Sequence, residues 1–160
     1  MISFIGKYIA TIILLISVLL GSFDVGFLEK PISNYINIQL ILIFAFKISN
    51  PNLNFGRGIY LFFISIVNDS LNGLVFGTSA ILYFIVFAVA AFQSSIKLRS
   101  IFISEWIAFA VSLVIAYIVF FGLINLSGEN IVVFNIFVNF AFTIIGYPIL
   151  YFTIARTLFK

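Results

Sequence analysis

The sequence predicts an all-α integral membrane protein, a bundle of about six transmembrane helices forming one domain over residues 1–160. Three observations lead there. The chain is 64% hydrophobic and only 8% charged, with a mean hydropathy of +1.30, whereas a soluble domain is nearer half apolar and a quarter charged. A chain of 160 residues cannot enclose that much apolar surface in its own core, so lipid must cover the rest. The apolar residues also fall in runs divided by short polar breaks, and the cations gather at alternate breaks.

The spans fall at residues 8–22, 34–48, 58–69, 74–92, 101–124 and 131–154. Lys7 followed by the apolar run 8–20 has the outline of a signal peptide. No small-x-small cleavage pattern follows, and the rest of the chain is equally apolar, so a retained first span is expected. Gly21-Ser22 ends it, and Glu29-Lys30-Pro31 punctuates the loop before the second. Ser49-Asn50-Pro51-Asn52 is a turn cluster, since proline disfavours helix for the residue before it. The run from Ile59 to Phe92 is too long for one helix and is interrupted at Asn68–Gly77. Leu126-Ser127-Gly128-Glu129-Asn130 joins the last two spans. A hydrocarbon core of about 30 Å takes about 20 helical residues, so the second and third spans are short and the last two are long enough to tilt.

Charge placement supports the count. With six spans, Lys7, Lys47, Arg57, Lys97, Arg99, Arg156 and Lys160 share one side, while Asp24, Glu29, Lys30 and Glu129 fall on the other. The positive-inside rule then puts both termini in the cytoplasm. Fusing residues 59–92 into one span would separate Lys97 and Arg99 from Lys47 and Arg57. Five spans are rejected on that ground.

Several functions are excluded by what is missing. Without cysteine or histidine there are no disulfides, no Cys/His metal site and no Ser-His or Cys-His nucleophile. The net charge of +3 sits in short loops and reports orientation rather than nucleic-acid binding. The carboxylates are scattered and no phosphate-binding glycine loop is present, so no catalytic residue, cofactor or metal is expected, and the chain is not an enzyme.

Four sets of residues carry the candidate contacts. In a continuous helix Ser65, Asp69, Gly73 and Gly77 would share one face, and Gly73-x-x-x-Gly77 would let another backbone approach closely. Arg57 to Asp69 is about 18 Å of helix rise, which puts Asp69 past the midplane. A charge there costs about 2.5–3.5 kcal/mol unless paired or hydrated. It is either a buried group that fixes a hairpin or meets a partner, or a cap, since Asn68, Asp69, Ser70 and Asn72 all satisfy helix ends and turns. Capping needs no partner and is the favoured reading. The fifth span carries a small-residue ridge, Ser104, Ala108, Ser112 and Ala116, suited to helix packing. Glu105 beside it is expected to snorkel or to pair with Arg99. The sixth span carries a polar stripe, Asn135, Asn139 and Thr143, continued by Tyr147 and Tyr151, expected to turn inward as polar glue or as a cavity wall. Pro148 should kink that span, with Gly146 easing the bend.

The order Asp69-x-x-x-Gly73-x-x-x-Gly77-x-x-Ala80 after a short apolar helix resembles the signature of the bacterial rod shape-determining MreD family. Pro31 before the second span, Arg57-Gly58 opening the third, and Pro148 followed by Arg156 resemble other parts of that family, so the likeness spans the chain. It departs at Ile64-Ser65 and Asn68, where the family often has a Gly-Leu pair and a Leu. The resemblance implies a non-enzymatic, multi-pass subunit of the bacterial inner membrane that helps direct lateral peptidoglycan synthesis. Its implied partners are MreC, the MreB filament, the RodA–penicillin-binding-protein synthase and membrane lipid, with no nucleic acid. The implied fold is similar to the substrate-binding subunits of energy-coupling-factor transporters, which supplies the alternative: a vitamin-binding subunit for uptake.

Overall fold

A computed structural model describes residues 12–20, 35–49, 56–95, 102–127 and 133–158. They form six helices: α1 (residues 12–20), α2 (Ile38–Ser49), α3 (Gly56–Asn72), α4 (Thr78–Ser95), α5 (Phe102–Ser127) and α6 (Val133–Leu158). There is no strand among the described residues. Three segments, Thr78–Ser95, Phe102–Leu123 and Val133–Thr153, are long and apolar enough to cross a membrane. The expected breaks at residues 21–22, 29–31, 50–52 and 128–130 lie outside the described residues, as do Lys7, Asp24, Lys97, Arg99 and Lys160 and the side chains of Arg57 and Arg156.

Helices α2 to α6 depart from the expected bounds by one to four residues at their ends, and two of the departures have a visible local reason. Helix α2 begins at Ile38 rather than residue 34, because Asn37 Oδ1 accepts from Leu40 N–H at 3.3 Å and so caps the helix. Helix α3 runs on through Asn72 and α4 starts only at Thr78, with residues 73–77 forming the turn between them.

The short α2 lies at the centre. Every residue from Gln39 to Lys47 is buried, as expected of a helix that is apolar all round. It packs against α4 and α6, while α4 also packs along α3 and α5, and α5 along α6. Helix α1 turns Leu14 and Val18, one turn apart, into the core and leaves Ile12, Leu15, Ile16, Leu19 and Leu20 exposed. Its Ser17 carbonyl accepts from Gln39 Nε2 at 3.3 Å, a link to α2.

Phe44 of α2, Phe109 of α5 and Tyr147 of α6 are fully buried against one another. Phe109 stacks on Tyr147 at 4.5 Å, and Phe44 meets both edge-on at 5.1 and 5.7 Å. Such pairs add about 0.5–1.5 kcal/mol beyond area burial. In lipid, where the hydrophobic effect does not draw helices together, dense contacts of this kind hold the bundle. The end where α2 and α4 finish adjoins Lys47, Arg57, Lys97 and Arg99 in the sequence and is called the basic end below; the α3–α4 turn marks the opposite, turn end.

Candidate functional site

Asp69 is wholly buried and joins two helix ends. Its backbone carbonyl accepts from Leu74 N–H at 3.0 Å, the long closing bond of a helix that ends in a left-handed residue. That residue is Gly73, with φ of 64°. Its carboxylate meanwhile caps α4, accepting from Gly77 N–H at 2.7 Å through Oδ2 and from Ser79 N–H at 3.0 Å through Oδ1. Gly77 occupies the N-cap position of α4 at φ 96°. A glycine has no side chain with which to cap, so the preceding helix supplies one. A carboxylate at a helix N-terminus also meets the positive end of the helix dipole.

The neighbours reinforce the same joint. Asn68 Nδ2 donates to Ser79 Oγ at 2.8 Å. Asn72 Nδ2 donates to the Asn68 carbonyl at 2.8 Å and to its Oδ1 at 3.1 Å. Thr78 N–H closes the turn on the Val75 carbonyl at 3.1 Å. One turn earlier, Ser65 is also wholly buried and donates to the Phe62 carbonyl at 2.7 Å.

This corrects the continuous-helix picture of Gly73 and Gly77. They do not share a helical face with Ser65 and Asp69, and a Cβ placed on either glycine would meet no atom within 4 Å. Their role in this turn is backbone conformation: both need φ values that side chains disfavour. The close approach of a neighbour occurs at a different glycine. A Cβ on Gly146 would lie 2.6 Å from Ile36 Cδ1, so Gly146 admits the segment leading into α2 against α6.

The polar stripe of α6 is split. Thr143 is fully buried and works twice: Oγ1 accepts from Asn37 N–H at 2.9 Å and donates to the Asn139 carbonyl at 2.7 Å. Asn139 is buried, and its Oδ1 accepts from the Tyr117 hydroxyl of α5. These residues thus tie α2, α5 and α6 together. Asn135, nearer the end of α6, is only half-buried.

The small-residue ridge of α5 is divided in the same way. Ser112 and Ala116 are fully buried. Ser104 and Ala108 line an open groove of about 550 Å³ between α4 and α5, with Val89, Phe92 and Val111 among its walls. Gln93 Nε2 spans it to Ser104 Oγ at 3.0 Å. Glu105 does not snorkel: it is buried, at 2% exposed, on the side of α5 that Tyr151 of α6 adjoins. Its place in the first turn of α5 also suits a carboxylate.

Pro148 sits inside a helix that continues past it. Proline has no N–H, so the carbonyl four residues back loses its helix partner. That carbonyl belongs to Ile144, and Trp106 Nε1 of α5 donates to it at 3.2 Å. The only tryptophan in the chain thus satisfies a group that the proline exposes. The proline signals the vacancy in the sequence, but only the fold reveals the donor.

What the arrangement can do chemically is hold helices together. Asp69 is occupied by backbone donors, and among the described residues no three His, Cys, Asp or Glu gather at metal-binding distance. Comparison with protein-family models, with curated proteins and with solved structures gives no match.

Proposed function

We propose that this chain is a non-enzymatic inner-membrane subunit of the bacterial cell-elongation complex, acting beside MreC to place lateral peptidoglycan synthesis. The observation that carries the reading is the Asp69-x-x-x-Gly73-x-x-x-Gly77 stretch, which resembles the MreD signature and whose three named residues each have a defined part in one joint. A scaffold needs stiff connections between spans, and a carboxylate that closes two helix ends is one. In this reading the bundle has a fold similar to the substrate-binding subunits of energy-coupling-factor transporters, with both termini in the cytoplasm.

The alternative, a vitamin-binding subunit, needs polar groups turned towards a ligand. Here Thr143 and Asn139 make their hydrogen bonds to Asn37, to Tyr117 and to each other, which favours structural use of that stripe. The test is depletion in a rod-shaped host. Widened, rounded cells with unchanged nutrient uptake are expected, together with co-purification of MreC. Cells that keep their shape and are rescued by a vitamin supplement would overturn the elongation reading in favour of uptake.

A further inference from the structure

We propose that the α3–α4 turn is seated in the bilayer and not above it, with Val75 and Phe76 in contact with lipid acyl chains of the leaflet farther from the basic end. The inference needs only that the chain spans a membrane, and it stands or falls independently of the elongation reading.

Helix length is the first ground. Helices α3 and α4 have 17 and 18 residues, whereas α5 and α6 each have 26. At the helical rise these are about 26, 27 and 39 Å, against a hydrocarbon core of about 30 Å. The sequence puts Arg57 in the first turn of α3, and Lys97 and Arg99 just after α4. Cations of this kind hold helix ends at the headgroups. With that end anchored, the turn stops short of the opposite hydrocarbon boundary, while α5 and α6 can reach past it.

The surface of the turn is the second ground. Ile59, Phe63, Val67 and Leu71 form an exposed apolar stripe at helical spacing along α3. This is the face that a membrane helix gives to lipid, and it does not stop where the helix stops. Val75 is 56% exposed and Phe76 is 71% exposed, so the stripe runs on into the turn. A turn in water is built from polar residues with exposed backbone. This one carries its two most exposed side chains as hydrocarbon.

The third ground is the accounting of polar groups. In hydrocarbon each donor must find a protein acceptor. Leu74, Gly77, Thr78 and Ser79 N–H do, three of them on Asp69. Val75 and Phe76 N–H have no protein acceptor among the described residues, which sets their backbone at the level of the lipid ester groups while their side chains reach the acyl chains. Even the exposed Ser70 hydroxyl turns back to the Ile66 carbonyl at 2.8 Å, and the Asn72 amide turns back to Asn68. The capping carboxylate takes two of the donors that a loop at this depth would otherwise leave to water.

The test uses the full-length chain, which has no native cysteine, with Phe76→Cys, Val75→Cys and Leu126→Cys made singly. Leu126 is exposed near the far end of the longer α5 and serves as the water-facing comparator. Each purified variant is reconstituted in phosphatidylcholine vesicles and treated with an impermeant maleimide. Thiol alkylation needs the thiolate, which an apolar setting suppresses, so Phe76→Cys and Val75→Cys should react at least about tenfold more slowly than Leu126→Cys. Their rates should climb in short-chain, thinner bilayers while that of Leu126→Cys stays level. A misfolded variant would be labelled rapidly whatever the thickness, so the thickness dependence is the decisive readout. Equal rates for all three in long-chain vesicles, with no response to thickness, would overturn the proposal. So would protection seen in native membranes but lost in the purified vesicles, because a protein and not lipid would then cover the turn.

Discussion

Asp69 and Thr143 are both fully buried, and each takes backbone N–H groups that would otherwise lack a partner, yet they reach very different distances along the chain. Asp69 accepts from residues eight and ten positions ahead. Thr143 accepts from Asn37, 106 positions back. The first joint closes two adjacent helices on themselves, so it can form wherever α3 and α4 meet. The second forms only when α2 has been laid against α6. One belongs to the hairpin and the other to the assembled bundle, and substitutions should separate them.

The largest effect is expected at Asp69. Hydrogen bonds to a charged group are worth about 1.5–3 kcal/mol each, so Asp69→Ala, which leaves two N–H donors without an acceptor, should cost about 3–5 kcal/mol in unfolding measured in detergent. Asp69→Asn keeps one acceptor oxygen, while its amide must face the other donor, so it should fall between alanine and wild type. If Asp69→Asn equals Asp69→Ala, charge and not hydrogen-bond count holds the joint. If neither variant loses stability, Asp69 does not carry the turn.

Thr143→Val should cost less, about 1–3 kcal/mol, because the groups it strands are neutral. The location of the damage is the sharper readout. Amide exchange should quicken at Asn37 and Leu40 at the start of α2 and leave Gly77 and Ser79 protected, whereas Asp69→Ala should do the reverse. Thr143→Ser retains the hydroxyl and should restore most of the loss. Loss of protection at both sites in either variant would show that hairpin and bundle open as one unit, ending the distinction.

This contrast also explains what is legible in the sequence. Asn68, Asp69, Ser70 and Asn72 announce a cap because they are capping residue types in a row, and all their partners lie within a short stretch. The apolar runs announce helices for the same local reason. The partner of Thr143 cannot be read, since nothing around Asn37 names a threonine on the last helix. Gln93 with Ser104, and Trp106 with Ile144, are hidden in the same way. The glycines mislead for another reason. Gly73-x-x-x-Gly77 reads as a packing face only in a helix, and the sequence does not state φ. With Asp69 able to cap α4 from outside, both glycines are free to take the left-handed conformations that a turn requires.

The glycines therefore test the local half of the comparison. Side chains at such φ values cost about 1–2 kcal/mol, so Gly77→Ala should lose about that much although space is open around it. Gly73→Asn should lose only a few tenths, because asparagine tolerates the left-handed region of a helix C-cap. A packing face would give a different pattern, with loss growing with side-chain volume at both positions. Equal losses for Gly77→Ala and Gly77→Leu would support the conformational account, and a steep rise from Ala to Leu would sink it.

The last effect, again a small one, tests the long-range half. Trp106 Nε1 donates to the Ile144 carbonyl because Pro148 cannot. Trp106→Phe keeps an aromatic ring and removes the donor, so a loss of about 1 kcal/mol is expected. That figure alone would not separate the hydrogen bond from packing, since Trp106 also stacks on Phe102 with centroids 6.5 Å apart. A double-mutant cycle does separate them. Pro148→Ala restores an N–H at the position from which Ile144 is normally served in a helix. With the carbonyl served from within α6, the indole has less to supply, and Trp106→Phe should cost distinctly less in the Pro148→Ala background than in wild type. A coupling of zero would mean that the tryptophan acts through its ring alone. A coupling near the full loss would mean that a proline in one helix and a tryptophan in the next, 42 residues apart, work as a single contact.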